Sequence, residues 1–240
     1  MATTPSTTKP RITAWSYSRL TLYESCPFKA KCKFIDKLPE KENPAMFRGG
    51  AIHSLAEEYV SGHMSGKPAD KLKAEDLRPE FEKVILPSFK KDFTTAKKGK
   101  PLCEQEWAFT SSWEPTGWFD KDAWCRIKTD LIFWRKKELV ITDHKTGKKR
   151  ESHKDQLSLY AVGGFLLYPV IERISSELWY LDQGPPNTAQ VFLRENLTSE
   201  IKRWEDRARP MLADTTFVAT PSRECTWCPY SKSNGGPCKF

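Results

Sequence analysis

Two neighbouring segments with strand composition carry acids where apolar side chains belong. Ile127-Lys128-Thr129-Asp130-Leu131-Ile132-Phe133 and Leu139-Val140-Ile141-Thr142-Asp143-His144-Lys145 are rich in β-branched and aromatic residues, with Arg135-Lys136-Lys137 as a short polar turn between them. Such a pair folds as a hairpin. On the second strand alternate residues share a face, so Asp143 and Lys145 point with Leu139 and Ile141 while His144 points the other way. A carboxylate in that setting is costly unless it is paired or bound to a cation. Two arrangements satisfy this. Either Asp143 and Lys145 form a same-face ion pair with Asp130 at a strand edge, or the hairpin sets Asp130 beside Asp143 and a divalent cation of the Mg²⁺ or Mn²⁺ kind neutralises both.

The remaining pattern surrounds this hairpin with helices. A helical stretch from Ser16 ends near Cys26-Pro27, a second runs from Ile52 to Val60 after Gly49-Gly50, and a third from Arg78 to Phe93 is interrupted at Pro87. Glu104–Thr110 reads as a strand before the hairpin. Ser152–Tyr168 then reads as a helix, Glu177–Leu181 and Gln190–Leu193 as strands, and Ser199–Leu212 as a last helix. That order predicts an α/β fold with a central mixed sheet flanked by helices. One domain is expected over residues 14–240, with 63–101 a Lys-rich helical insertion, 213–240 a Cys-rich tail and 1–13 a disordered tail.

Composition excludes other classes. The chain has 240 residues and a net charge of +8, with positive charge gathered in 1–50, 67–100 and 135–154, which suits an anionic partner. No apolar run approaches the ~18–20 residues a membrane span needs. The leading segment lacks the apolar stretch of a signal peptide, so a cytoplasmic location is expected. In a reducing compartment its cysteines are candidates for metal chemistry rather than disulfides.

Gln156 and Tyr160 lie four apart on one helical face just after the loop that leaves Lys145. Taken in order, His53 after Gly49-Gly50, Asp130, Asp143-His144-Lys145-Thr146-Gly147 and Gln156-Leu157-Ser158-Leu159-Tyr160 resemble the RecB-like branch of the PD-(D/E)XK nuclease superfamily, from about Ser16 to the C-terminus. The resemblance implies a restriction-endonuclease-like core and a metal-dependent DNA nuclease, most simply an exonuclease of recombination, repair or phage replication in a bacterial or phage-infected cell. It implies that His53, Asp130, Asp143 and the backbone carbonyl of His144 bind Mg²⁺ or Mn²⁺. Lys145 would position the attacking water, and Gln156 and Tyr160 would steady the site. Ile127 stands where the family often has glycine, and Glu106 is a loose match to an acidic position upstream. Lys31, Lys33, Lys148, Lys149 and Arg150 are candidate phosphate contacts, and Trp107, Trp113 or Trp118 candidate stacking platforms. No GxxxxGK[ST] segment occurs, so unwinding would fall to a helicase, recombinase or single-strand-binding partner.

Cys225-Thr226-Trp227-Cys228 and Cys238 form a compact metal-ligating pattern that needs a fourth ligand, for which Cys26 leads and Cys32 is the substitute. One upstream and three C-terminal cysteines resemble the iron–sulfur nucleases of the same branch, which implies a 4Fe-4S cluster joining the N- and C-termini. Zinc is the alternative metal. The competing functional class is a non-catalytic nucleic-acid-binding module with a structural zinc site, in which the acids and Lys145 are only salt-bridged.

Overall fold

The computed structural model describes residues 11–40, 43–66 and 68–240. In chain order the elements are α1 (Tyr17–Ser25), α2 (Pro27–Phe34), α3 (Pro44–Ser61), α4 (Pro68–Glu80), α5 (Leu86–Lys98), β1 (Leu102–Phe109), β2 (Pro115–Thr116), β3 (Cys125–Arg135), β4 (Glu138–Lys145), α6 (Lys154–Leu167), β5 (Arg173–Tyr180), β6 (Thr188–Leu193) and α7 (Leu197–Ala213). Where the sequence suggests one domain, the chain parts into two compact units, Asn43–Lys202 and a unit made of both ends, Met1–Glu42 with Arg203–Phe240.

The Asn43–Lys202 unit is built on a six-stranded mixed sheet of order β2-β1-β3-β4-β5-β6. Only β4 and β5 run parallel, and α6 is the crossover that a parallel pair requires. Helix α6 packs close to the sheet because Gly163 and Gly164 face it. A Cβ on Gly163 would lie 2.8 Å from the Trp107 ring, and one on Gly164 would lie 2.7 Å from Ile174 Cδ1. On the other face, α3 and α5 bury Ile52, Leu55, Phe89 and Phe93 against Leu131, Phe133, Val140 and Trp179. The Lys-rich stretch 63–101 therefore does more than extend the surface, because its apolar stripe closes one side of the core. The break expected at Pro87 is absorbed. A π-helical turn over Phe81–Ile85 precedes it, so the missing Pro87 N–H falls in the first turn of α5. Helix α3 also begins earlier than expected, at Pro44, with Gly49 inside it where a Cβ would stand 3.1 Å from Thr146 Oγ1.

The unit formed by the chain ends is held by contacts between them. Trp15 stacks on Trp204, Tyr23 donates to Asp214 Oδ2 at 3.0 Å, and Arg207 forks onto Glu24 at 2.6 and 2.9 Å. Ser16 caps α1 by accepting from Arg19 N, and the helix breaks at Cys26 before Pro27. The expected disordered tail lies outside the described residues up to Pro10. At the end of that stretch, Ile12 is only 4% exposed. Among the described residues no helix is long and apolar enough to cross a membrane.

Candidate active site

The antiparallel register pairs Leu131 with Thr142, so the next step along the ladder sets Asp130 across from Asp143. Both acids thus lie on interior strands, not at an edge. Asp130 is held from two sides. Its Oδ1 is 3.3 Å from His53 Nδ1 of α3, and its Oδ2 accepts the His144 backbone N–H at 2.6 Å. The contact shown for the His144 backbone is through its N–H; the imidazole points away, packed beside Phe93, Trp179 and His53.

Glu104 completes this cluster. One ligand atom each of His53, Glu104 and Asp130 lie within 4.8 Å of one another. The β1–β3 register places Glu104 across from Asp130, and Glu106 across from Lys128. Glu104 adopts φ 50°, a conformation that turns its side chain into the cluster at the start of β1. Its carboxylate also meets Lys128 Nζ at 2.9 Å, whereas Glu106 stands 3.8 Å from the same amine. Sequence reading offered Glu106 only as a loose match and did not single out Glu104; the strand register was the missing signal, because two acids two apart on one strand look alike until the partner strand is placed.

The second half of the site is a chain of polar contacts. Lys145 Nζ sits 2.6 Å from Asp143 Oδ2 and donates to Gln156 Oε1 at 3.1 Å. Gln156 Nε2 donates to Tyr160 OH, which in turn donates to Asp143 Oδ1, each at 2.5 Å. The helical spacing of Gln156 and Tyr160 thus closes a ring around the Asp143 carboxylate. Asp143, expected among the metal ligands, is engaged here by Lys145 and Tyr160, and the three-ligand set contains Glu104 in its place. The turn after Lys145 is fixed independently: Asp182 Oδ2 accepts from Gly147 N at 2.6 Å and is gripped by Arg48 of α3.

Electrostatics follow from burial and proximity. Burial opposes charging His53, but the adjacent Asp130 outweighs it and raises the imidazole to about 9. Burial would raise Asp130, yet His53 and the His144 N–H hold it below the ordinary carboxylate range. Glu104 is pushed up, first by burial and then by Asp130. Burial pulls His144 down to about 4. One imidazole nitrogen and two carboxylates, two of them straining against each other, form a donor set suited to a hard divalent ion.

The other expected residues separate. Lys148, Lys149 and Arg150 occupy the turn directly after Lys145, with Lys149 over the Tyr180 ring at 5.4 Å. Lys31 and Lys33 are each in an ion pair, with Asp36 at 2.6 Å and Glu40 at 2.5 Å. Trp107 and Trp113 are buried; Trp118 is partly exposed. Cys26, Cys225, Cys228 and Cys238 line one pocket in the unit of the chain ends. Backbone N–H groups of Thr220 and Ser222 point at the sulfurs of Cys26 and Cys225, at 3.5 and 3.4 Å. Cys32 is buried and is not among the residues lining that pocket, though it lies near Cys228 and Cys238. Burial raises the Cys103 and Cys125 thiols, Cys103 to about 12, as suits core thiols.

The chain belongs to the PD-(D/E)XK nuclease superfamily, whose family model matches residues 14–233, and it is by that membership a nuclease. Among solved structures it is similar to the "Putative exonuclease" from Eubacterium rectale, at 13% identity and TM-score 0.54, covering 93% of this chain and 87% of that one, a likeness of fold. The structure of SSO0001 aligns over 98% of this chain and 91% of its own at 14% identity, with a TM-score of 0.39 that carries no argument. A search of curated proteins found no match.

Proposed function

We propose that the chain is a divalent-metal-dependent deoxyribonuclease of the RecB-like branch, an exonuclease whose terminal unit carries a 4Fe-4S cluster. The observation that carries the catalytic part is the convergence of His53, Glu104 and Asp130 beside a lysine ammonium locked between Asp143 and Gln156. His53, Glu104 and Asp130 would hold Mg²⁺ or Mn²⁺, with Asp143 across the ladder as a further carboxylate. Such an ion supplies Lewis acidity to a phosphoryl oxygen and a more acidic bound water.

The protein's own groups do the rest. Lys145 presents a fixed positive charge where a phosphodiester gathers negative charge on the way to hydrolysis, and because its partners are already in place it needs no reorganisation. Tyr160 and Gln156 hold Asp143 and Lys145 in register. Lys148, Lys149 and Arg150 follow directly and suit the phosphates of the bound strand, giving salt-dependent and largely sequence-independent contact. Phosphate contact by Lys31 and Lys33 would have to displace Asp36 and Glu40. Unwinding is assigned to a helicase, recombinase or single-strand-binding partner.

For the cysteine pocket, the shared lining by Cys26, Cys225, Cys228 and Cys238 supports a four-thiolate centre, read here as the cluster with zinc as the alternative. A tetrahedral zinc ion holds its sulfurs ~3.8 Å apart, given Zn–S bonds of ~2.3 Å. An iron–sulfur cluster is itself larger than one ion and spaces its thiolates more widely, and N–H groups aimed at sulfur are the partners it takes. The Asp143–Lys145 pair alone would equally suit a non-catalytic binding module with structural zinc.

Linear DNA labelled at either end, and a closed circle, decide between these readings in Mg²⁺ or Mn²⁺. Wild type is expected to degrade linear DNA and Asp143→Ala to lose that activity; equal rates would remove the catalytic assignment, and a degraded circle the exonuclease one. Stoichiometric zinc in protein purified without oxygen would overturn the cluster while leaving the nuclease standing.

A further inference from the structure

The loop between β1 and β3 is a built turn with an apolar tip. The Thr116 hydroxyl lies 2.9 Å from Asp120 Oδ2 and 3.0 Å from Asp122 Oδ1, and Gly117 N donates to Asp120 at 2.8 Å. A Cβ on Gly117 would come within 2.7 Å of that carboxylate, so a larger residue would have to push the Asp120 side chain aside. Arg126 donates to the Trp118 carbonyl at 2.8 Å and lies 5.8 Å from its ring. All this order serves to present Phe119, which is 89% exposed, beside a half-exposed Trp118. An apolar ring held out by a rigid turn loses hydrophobic stabilisation unless something covers it.

The sheet connects this tip to the site. Along the first half of β3, Cys125, Ile127 and Thr129 are buried while Arg126 and Asp130 are partly buried and Lys128 is exposed, an alternation that puts these three on one face. Lys128 and Asp130 both meet Glu104 there. The start of β3 and the end of β4 lie at the same edge of the sheet, since the register that pairs Leu131 with Thr142 carries Lys128 to the level of Lys145. From Asp130 to Arg126 the strand covers ~13 Å, at ~3.3 Å per residue.

We propose that Arg126, Lys128 and the Trp118–Phe119 tip form a track for a single DNA strand, on which unpaired bases a few nucleotides from the reacting phosphate stack against Phe119 and Trp118. The inference rests on the nuclease reading and adds the form of substrate, a strand with unpaired bases. The tip loop itself carries Glu114, Asp120 and Asp122 against Lys121, so it has no pull on phosphate. It takes bases by their faces, and Arg126 carries the backbone, joined by Lys128 where phosphate displaces Glu104 and Glu106 from its amine.

Binding to fluorescein-labelled oligo-dT eight nucleotides long, in EDTA, separates these contributions, with an oligomer of the same length made only of abasic sites as the comparison. Phe119→Ala is expected to weaken oligo-dT about tenfold without changing the salt slope, and to leave the abasic oligomer unaffected. Arg126→Gln is expected to weaken both and to lower the salt slope by about one. In cleavage, Phe119→Ala raises KM on long single strands and leaves kcat, and the rate on dinucleotides, unchanged. Equal oligo-dT affinity of wild type and Phe119→Ala, or equal loss on both oligomers, overturns the track. Wild-type cleavage in Mn²⁺ is followed on the same preparation: cleavage without a base-dependent role for Phe119 defeats this inference alone, and neither cleavage nor binding defeats the nuclease reading with it.

Discussion

Glu104→Gln is expected to shift stability in opposite directions with and without metal. The Glu104 and Asp130 ligand atoms lie within 4.8 Å, a like-charge repulsion of ~3.5 kcal/mol at an effective dielectric of ~20. His53, 3.3 Å from Asp130, cancels most of it. The pair with half-exposed Lys128 returns at most ~1 kcal/mol. Together with the burial of Glu104, this leaves a net gain of ~1 kcal/mol when the charge is removed, or ~2–4 °C in Tm for a chain of this size. With metal the sign reverses. Loss of even an outer-shell partner costs ~10–100-fold in metal affinity, so loss of a ligand is expected to cost ~100-fold or more. At Mn²⁺ one hundred times the wild-type Kd, wild type gains ~2.7 kcal/mol and the variant ~0.4. Thermal unfolding in EDTA and across a Mn²⁺ titration reads both effects. A variant that keeps the full Mn²⁺-induced rise would remove Glu104 from the ligand set, and one that melts lower in EDTA would refute the repulsion argument.

Three further outcomes follow from the same geometry. Lys145→Ala is expected to lower kcat on DNA by ~10²–10³-fold with little change in DNA affinity, because it removes a charge that acts on the reacting phosphate; steady-state kinetics with parallel binding measurements check this. His53, raised to about 9 from the usual 6.5, contributes stability to metal-free protein that is complete below 6.5 and lost as pH rises through about 9. Raised Glu104 works in the same direction, while depressed Asp130 matters only in strong acid. Metal-free Tm is therefore expected to fall across that window while Mn²⁺ affinity rises by up to ~tenfold per pH unit, and a pH-independent Mn²⁺ affinity would contradict it. Gly163→Ala places a Cβ 2.8 Å from the Trp107 ring and 2.9 Å from Ile127 Cδ1, an overpacking cost of ~1–3 kcal/mol that outweighs the ~1 kcal/mol of helix propensity gained. Denaturant unfolding of the variant measures the difference.

The strands and helices around the site were legible because their signals are local. Period-two burial, a polar turn and a four-residue helical spacing bring Asp130, Asp143, Lys145, Gln156 and Tyr160 into place from neighbouring stretches of chain, and the structure joins the last four in one polar ring. The sequence also grouped Cys225, Cys228 and Cys238 with Cys26, and all four line one pocket. Three features depended on long-range packing. Glu104 and Glu106 are indistinguishable until β1 is set in register against β3. The stretch 63–101 reads as polar and insertable until its one apolar stripe meets Trp179 and Phe133. Trp107, Trp113 and Trp118 all read as candidate stacking platforms, and only packing buries the first two while the turn that Asp120 closes on Gly117 carries Trp118 and Phe119 outward. Side-chain chemistry and local periodicity are properties of a few consecutive residues. Which acid faces a cation and which aromatic faces water depend on how distant strands align, and those quantities exist only once the chain has closed on itself.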